Sequence, residues 1–270
     1  MGAEQSRAAS ALAAARAGGA IAEDEFRSAV TVETKANKND VVTWIDRAAQ
    51  EEVIDRIRDR FPTEHIVAEE PTDRVADGPG MPNSGAAWVI DPIDGTANYV
   101  RGMRVWATSV AVVRDGSAIA AATVLPAMGD EYRADGDTAM RNGERATVSD
   151  RADPETFAVA VLGWGPQADR STYTALSGAI IERFGDLRRL GSMQTALAMI
   201  ASGELDGAIT NRPPTPWDSI AGVHLIDRAG GTVTDLDGRP WRYGRGVLVA
   251  SNGNCHEALI EAARAALDAR

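Results

Sequence analysis

Apolar residues recur every fourth position at Ile45, Ala49, Val53 and Ile57, and this spacing predicts one amphipathic helix over residues 43–60. Asp46 falls in its first turn, where the helix dipole favours an acid. Before it, residues 3–17 are Ala-rich and predict a helix that stops at Gly18-Gly19. Residues 31–40 are polar and aperiodic, which predicts a loop or hairpin. After residue 60 the pattern changes to short apolar runs. Residues 65–68 and 86–90 read as strands, separated by a Pro-, Gly- and Asp-rich loop over 71–85. Residues 105–113 and 118–125 flank Asp115-Gly116, and 131–134 and 138–141 flank Asp135-Gly136, so each pair predicts a β-hairpin.

A polar stretch over 142–154 follows, and the expected domain boundary lies there, dividing the chain into 1–150 and 151–270. Beyond it, strands over 157–162, 184–190, 206–210, 232–235 and 247–250 alternate with helices over 171–183, 194–201, 219–229 and 256–269. Strands and helices mix throughout, which predicts a layered α+β protein.

Composition changes this picture in two ways. The 270 residues carry a formal net charge of -11, so no basic stripe is on hand for a nucleic-acid partner, and none is expected. A small phosphorylated substrate stays compatible, because bound cations invert the local field. The single cysteine, Cys255, excludes an internal disulfide and fits a reducing cytoplasm. No apolar stretch near the start reaches the roughly 20 residues of a membrane span, and no membrane association is expected. His65, His224 and His256 are scattered, without zinc-site spacing.

The chemistry concentrates in residues 88–99. An apolar run leads into Asp91 and Asp94, three residues apart, with Pro92 and Gly95 forming a turn and Thr96 following. Acids beyond a strand and beside a Gly-Thr turn suit a hard cation and an anion held by backbone N–H groups. Glu69-Glu70 follows another strand, and Asp218 stands between the stiff 213–216 segment and a helix. Together these carboxylates suit two or three Mg²⁺ ions. The only two lysines, Lys35 and Lys38, share one polar loop beside Asp40 and Asp46.

These segments resemble the inositol monophosphatase family, Mg²⁺-dependent and lithium-sensitive phosphatases that include fructose-1,6-bisphosphatases. Asp91-Pro-Ile-Asp94-Gly-Thr-Ala-Asn98-Tyr99 is similar to the family's first signature, and Trp217-Asp218-Ser-Ile-Ala221-Gly222 to its second. Ala68-Glu69-Glu70 stands where the family has Gly-Glu-Glu. Lys35 with Asp40-Val-Val-Thr43-x-x-Asp46 matches a further element. The resemblance implies an α/β/α/β/α sandwich and a homodimer. It implies that Glu69, Asp91 and the Ile93 carbonyl hold one metal, that Asp91, Asp94 and Asp218 hold a second, and that Glu69 helps with a third. Gly95 and Thr96 would present N–H groups to the phosphate. The Thr96 hydroxyl, hydrogen-bonded to Asp46, would orient the attacking water. Glu70 would act from behind the metal ligands, and Lys35 from a loop that closes over them.

The implied activity is hydrolysis of inositol 1-phosphate or a related sugar phosphate by in-line attack of a metal-activated water. Fructose-1,6-bisphosphatase activity is the first alternative, and a non-catalytic phosphate-binding regulatory protein a second. Ser192, Met193 and Asn211 are the expected pocket residues. Asn211, with Thr210 as a competing match, stands where inositol-reading members carry Glu, which leaves the substrate's alcohol open.

Overall fold

In the computed structural model, which describes residues 3–28, 32–34, 41–75, 80–82, 84–163 and 170–268, α1 (Ala3–Asp24) runs unbroken through Gly18-Gly19. The glycines serve packing and do not stop the helix. A Cβ on Gly18 would lie 2.5 Å from Val53 Cγ2 and 3.0 Å from the Ala49 carbonyl oxygen. Glycine in a helix interior costs about 1 kcal/mol relative to alanine, and here it lets two helices approach closely. A short antiparallel pair, β1 (Val32–Thr34) and β2 (Val41–Thr43), leads into the partner helix α2 (Trp44–Arg58). Lys35, Lys38 and Asp40 lie outside the described residues.

Next come β3 (His65–Ala68), β4 (Ala86–Asp94), the short helix α3 (Thr96–Val100), β5 (Ala107–Arg114), β6 (Ser117–Leu125), β7 (Asp130–Ala134), β8 (Ala139–Arg141) and β9 (Glu144–Arg145). These strands form one seven-stranded sheet in sequence order, antiparallel except for the β3–β4 pair. Both expected hairpins are present within it. Then follow β10 (Ala158–Leu162), α4 (Arg170–Arg183), β11 (Asp186–Arg188), α5 (Met193–Ala201), β12 (Gly207–Thr210), α6 (Pro216–Arg228), β13 (Thr232–Thr234), β14 (Val249–Ser251) and α7 (His256–Asp268). The second sheet has the order β11-β10-β12-β14-β13.

Buried side chains define the layers. Ala8, Ala11, Val53 and Ile54 of α1 and α2 pack on Trp88, Val110 and Ala120 of the first sheet. The other face of that sheet meets Ile220 and Ala221 of α6. Leu197, Leu225 and Ile226 of α5 and α6 then pack on Ala160, Ala208 and Ala250 of the second sheet. Its outer face is covered by Tyr173, Leu176, Leu259 and Ala263 of α4 and α7. The result is the α/β/α/β/α sandwich, with α5 and α6 as the shared middle layer. No helix among the described residues is long and apolar enough to cross a membrane.

Candidate active site

Two neighbouring acids three residues apart on a regular strand point to opposite faces. β4 avoids this with a bulge. Asp91 pairs with Ser109 and Asp94 with Ala107, so three residues on β4 span two on β5. The extra residue reverses the alternation and brings both carboxylates to one side. Pro92, which has no N–H to give the ladder, sits inside the bulge and accepts a 2.7 Å bond from the Thr108 hydroxyl. The acids thus belong to the end of β4, where the sequence reading placed them in a turn beyond it.

Asp218 reaches the same point from the first turn of α6. Thr215 stands at its N-cap position and Pro216 opens it. The Thr215 hydroxyl donates to Asp218 Oδ2 at 2.6 Å. Asp91, Asp94 and Asp218 each offer an oxygen, and these oxygens lie within 4.8 Å of one another. Three carboxylates so close, Asp91 and Asp94 buried and Asp218 half-buried, resist ionisation. Burial first, then the charge of Glu69 and the other acids, raises Asp91 well above the carboxylate range. Burial and the charges of Asp94 and Glu69 push Asp218 up to about 7. Asp94 is pushed up to about 6 by burial, against the bonds it accepts from Ser192, Met193 and Gln194. Both Asp91 oxygens are buried without a hydrogen-bond donor. Such a cluster lacks positive charge, and an all-oxygen donor set suits a hard divalent cation. The residues fit Mg²⁺.

Asp94 is held from the other half of the sandwich. Met193 N–H donates to its Oδ1 at 3.1 Å and Gln194 N–H to its Oδ2 at 2.7 Å, while the Ser192 hydroxyl also donates to Oδ2. A carboxylate on β4 therefore caps the N-terminus of α5, where free amides and the helix dipole favour an anion. Ser192 and Met193 line the cavity as expected, but their polar groups are occupied in holding Asp94. Gln194, which the sequence groups with Met193 as a pocket residue, does not line the cavity. Its side chain donates to the Trp217 carbonyl and accepts from Gly222 N–H at 2.9 Å, tying α5 to the helix that carries Asp218.

Thr96 and Asp46 meet from separate elements. Thr43 caps α2; its hydroxyl accepts from Ile45 N–H at 3.1 Å. Asp46 Oδ2 accepts from both Thr43 N–H and the Thr43 hydroxyl, each at 2.7 Å. That capping leaves Oδ1 for the Thr96 hydroxyl, 3.1 Å away, which also lies 3.0 Å from the Ile93 carbonyl oxygen. Asp46 is fully buried, and burial raises its pKa despite the bonds from Thr43 and Thr96.

Gly95 makes the turn that brings Thr96 here. Its φ is 90°, a left-handed conformation, and a Cβ would lie 3.0 Å from Ser192 Cβ and 3.2 Å from the Gly191 carbonyl oxygen. Asn98 closes the same junction by donating to the Val105 and Leu190 carbonyls, both at 2.8 Å. Behind the ligands, Gln50 of α2 donates to the Glu70 carbonyl at 2.7 Å and accepts from Glu70 N–H at 2.9 Å. This buried pair fixes the Glu69-Glu70 segment beside β4.

A cavity of about 710 Å³ opens over the acids, lined by Glu69, Asp94, Gly95, Thr96, Ser192 and Asp218 on one side. Asp91 and Ile93 lie behind this wall, each 1% exposed. Arg101, Arg189 and Arg212 are among the other lining residues, with Leu162 and Tyr173 supplying apolar surface. Asn211, the expected pocket residue, does not line the cavity. Its Oδ1 is buried against Gly163, where a Cβ would come within 2.5 Å of it. The next residue, Arg212, lines the cavity in its place. Lys35 lies outside the described residues.

The sandwich and its carboxylate-lined cavity are those of a phosphoric monoester hydrolase. Residues 3–268 match the inositol monophosphatase family, and the chain belongs to it. It is 34% identical over 235 residues to the fructose-1,6-bisphosphatase/inositol-1-monophosphatase of Thermotoga maritima, covering 85% of each chain. Over 262 residues it is 34% identical to the Nus factor SuhB of Pseudomonas aeruginosa, covering 93% of each. Among solved structures, a Thermotoga maritima IMPase superposes with a TM-score of 0.87 at 29% identity, covering 98% of this chain and 99% of that one.

Proposed function

We propose that the protein hydrolyses inositol 1-phosphate or a related sugar phosphate with Mg²⁺ as cofactor. The observation that carries this reading is the Asp91–Asp94–Asp218 cluster, with both Asp91 oxygens buried and unpaired beside the Thr96–Asp46 bond. Asp91, Asp94, Asp218, Glu69 and the Ile93 carbonyl would hold two or three ions. Bound Mg²⁺ supplies Lewis acidity and neutralises the phosphate dianion.

The chain's own groups do the rest. With its proton directed at Asp46 and Ile93, the Thr96 hydroxyl keeps a lone pair to accept a hydrogen bond from water. The buried Asp46 carboxylate, a stronger base than an exposed one, favours withdrawal of that water's proton. The Gly95 turn leaves backbone N–H groups at the start of α3 for the phosphate oxygens. Glu70, anchored by Gln50, supports Glu69 from behind. Lys35, by resemblance, adds a cation from the loop before α2.

Phosphate release from a panel of inositol, fructose, nucleotide and histidinol phosphates, with Mg²⁺ and with chelator, tests this reading. Mg²⁺-dependent release from an inositol or sugar phosphate is expected. Release from no ester would leave a phosphate-binding regulatory protein, the reading that the Nus factor name of one relative favours. A second reading, hydrolysis of a sugar bisphosphate such as fructose 1,6-bisphosphate, is favoured by Arg101, Arg189 and Arg212, which line the same cavity as the acids. The separation of the two sheets on either side of residue 150 supports a domain boundary there. Homodimerisation rests on the resemblance, and light scattering tests it. A reducing cytoplasm rests on the lone cysteine.

A further inference from the structure

α6 has a second face. At 3.6 residues per turn, Ile220, Val223, His224 and Asp227 fall on the side opposite Asp218. They line a separate cavity of about 560 Å³, closed by the β5–β6 hairpin end and by the loop between β13 and β14. A volume of several hundred Å³ is the usual range for small-molecule sites.

Its walls are chemically specific. Val113, Ile220, Val223 and Trp241 supply apolar surface, with Tyr243 beside them. The rim carries Arg228, Arg242 and Arg245 against one acid, Asp227, and Asp227 already pairs with Arg228. Arg242 and Arg245 are exposed and make no ion pair among the described residues. The cavity therefore presents uncompensated positive charge on a chain whose net charge is -11.

His224 adds a directional group. It is 5% exposed and lines the cavity. Its Nε2 lies 2.9 Å from the Asp135 carbonyl oxygen, so Nε2 carries the proton and Nδ1 is an acceptor. Nδ1 has no partner among the described residues. Burial pushes the pKa of His224 down to about 4, which keeps the ring neutral and Nδ1 available. An unpaired acceptor on a largely buried ring, beside apolar walls and free arginines, defines what would complete it.

We propose that this cavity is a second ligand site, for a small organic anion with a planar apolar body and an N–H or O–H donor. The anion meets Arg242 and Arg245, the apolar body meets Trp241 and Val223, and the donor meets His224 Nδ1. The site is distinct from the catalytic cavity, with which it shares no lining residue.

8-Anilinonaphthalene-1-sulfonate, which has a fused ring, a sulfonate and one N–H, is a direct probe. Fluorescence titration of the full chain, with Mg²⁺ and inorganic phosphate present, should show saturable binding that phosphate does not displace. The Arg242→Ala/Arg245→Ala variant should bind at least tenfold more weakly, with hydrolysis and melting temperature unchanged. Arg242→Lys/Arg245→Lys should restore much of the loss. His224→Phe, which keeps an apolar ring and removes the acceptor, should weaken binding severalfold. No binding to the native chain, unchanged affinity in the alanine variant, or displacement by phosphate would each overturn the proposal. So would a change of oligomeric state in the alanine variant by light scattering, because the cavity would then be an interface between copies.

Discussion

The Thr96 hydroxyl donates to Asp46 Oδ1 at 3.1 Å across fifty residues of chain, and the other Asp46 oxygen is saturated by Thr43. The acid that caps α2 is therefore the acid that orients Thr96. Asp46→Asn removes the charge while keeping the shape. It should lower kcat by a factor of about 10² to 10⁴, the range of a positioned acid–base group, with KM changed much less. Part of the cap is also lost, so the melting temperature should fall by an amount matching about 1 kcal/mol. A change confined to KM would show that the pair binds substrate and does not assist attack.

Ser192 donates to Asp94, which also accepts two amides of α5. Ser192→Ala should weaken Mg²⁺ activation by about 10- to 100-fold, as loss of a group supporting a metal ligand does. The half-saturating Mg²⁺ concentration in phosphate-release assays measures this. An unchanged Mg²⁺ requirement would mean that the two amides alone hold the carboxylate.

The acidic cluster predicts an unusual dependence on pH. Asp94 near 6 and Asp218 near 7 stand above the ordinary carboxylate value, so between about pH 4 and 7 the folded state binds more protons than the unfolded. Their contribution to stability therefore declines as pH rises through that window. Bound Mg²⁺ would offset the repulsion. The rise in melting temperature on adding Mg²⁺ to chelator-treated protein should be larger near pH 7.5 than near pH 5. Equal shifts at both would place the ion elsewhere.

His224 has the opposite sign. Its pKa near 4 lies below the unfolded value of about 6.5, so the unfolded state takes up the proton first and stability falls as pH drops from 6.5 to 4. The full difference is on the order of 3 kcal/mol. His224→Asn should flatten the acid limb of the stability curve, measured by urea unfolding with Mg²⁺ at constant concentration. A parallel curve for native and variant chains would show that another group controls the acid limb.

Arg212 lines the same cavity as Asp218, and its charge partly opposes the rise of the Asp218 pKa. If the substrate carries a second phosphate, Arg212→Ala should reduce kcat/KM for fructose 1,6-bisphosphate about tenfold more than for inositol 1-phosphate, since charge-assisted bonds are worth about 1.5 to 3 kcal/mol. Equal losses on both substrates would assign Arg212 to the common phosphate.

Local pattern was enough for α2, both hairpins of the first sheet and the strand–helix alternation after residue 157, because each rests on periodicity or turn chemistry within a few residues. The four motif segments were also legible, since acids, Gly95 and Thr96 stand at fixed spacings. What the sequence by itself determined was thus the class of protein and the chemical types at its site. The tertiary structure decided how they act together. Only pairing with β5 shows that a bulge turns Asp91 and Asp94 to one side. Only packing shows that Gly18-Gly19 admits α2 and does not end α1. Asp94 caps a helix about a hundred residues away, and Arg212 takes the cavity position expected for Asn211. Each of these depends on close approach between segments remote in sequence, and no local pattern of residues records that distance.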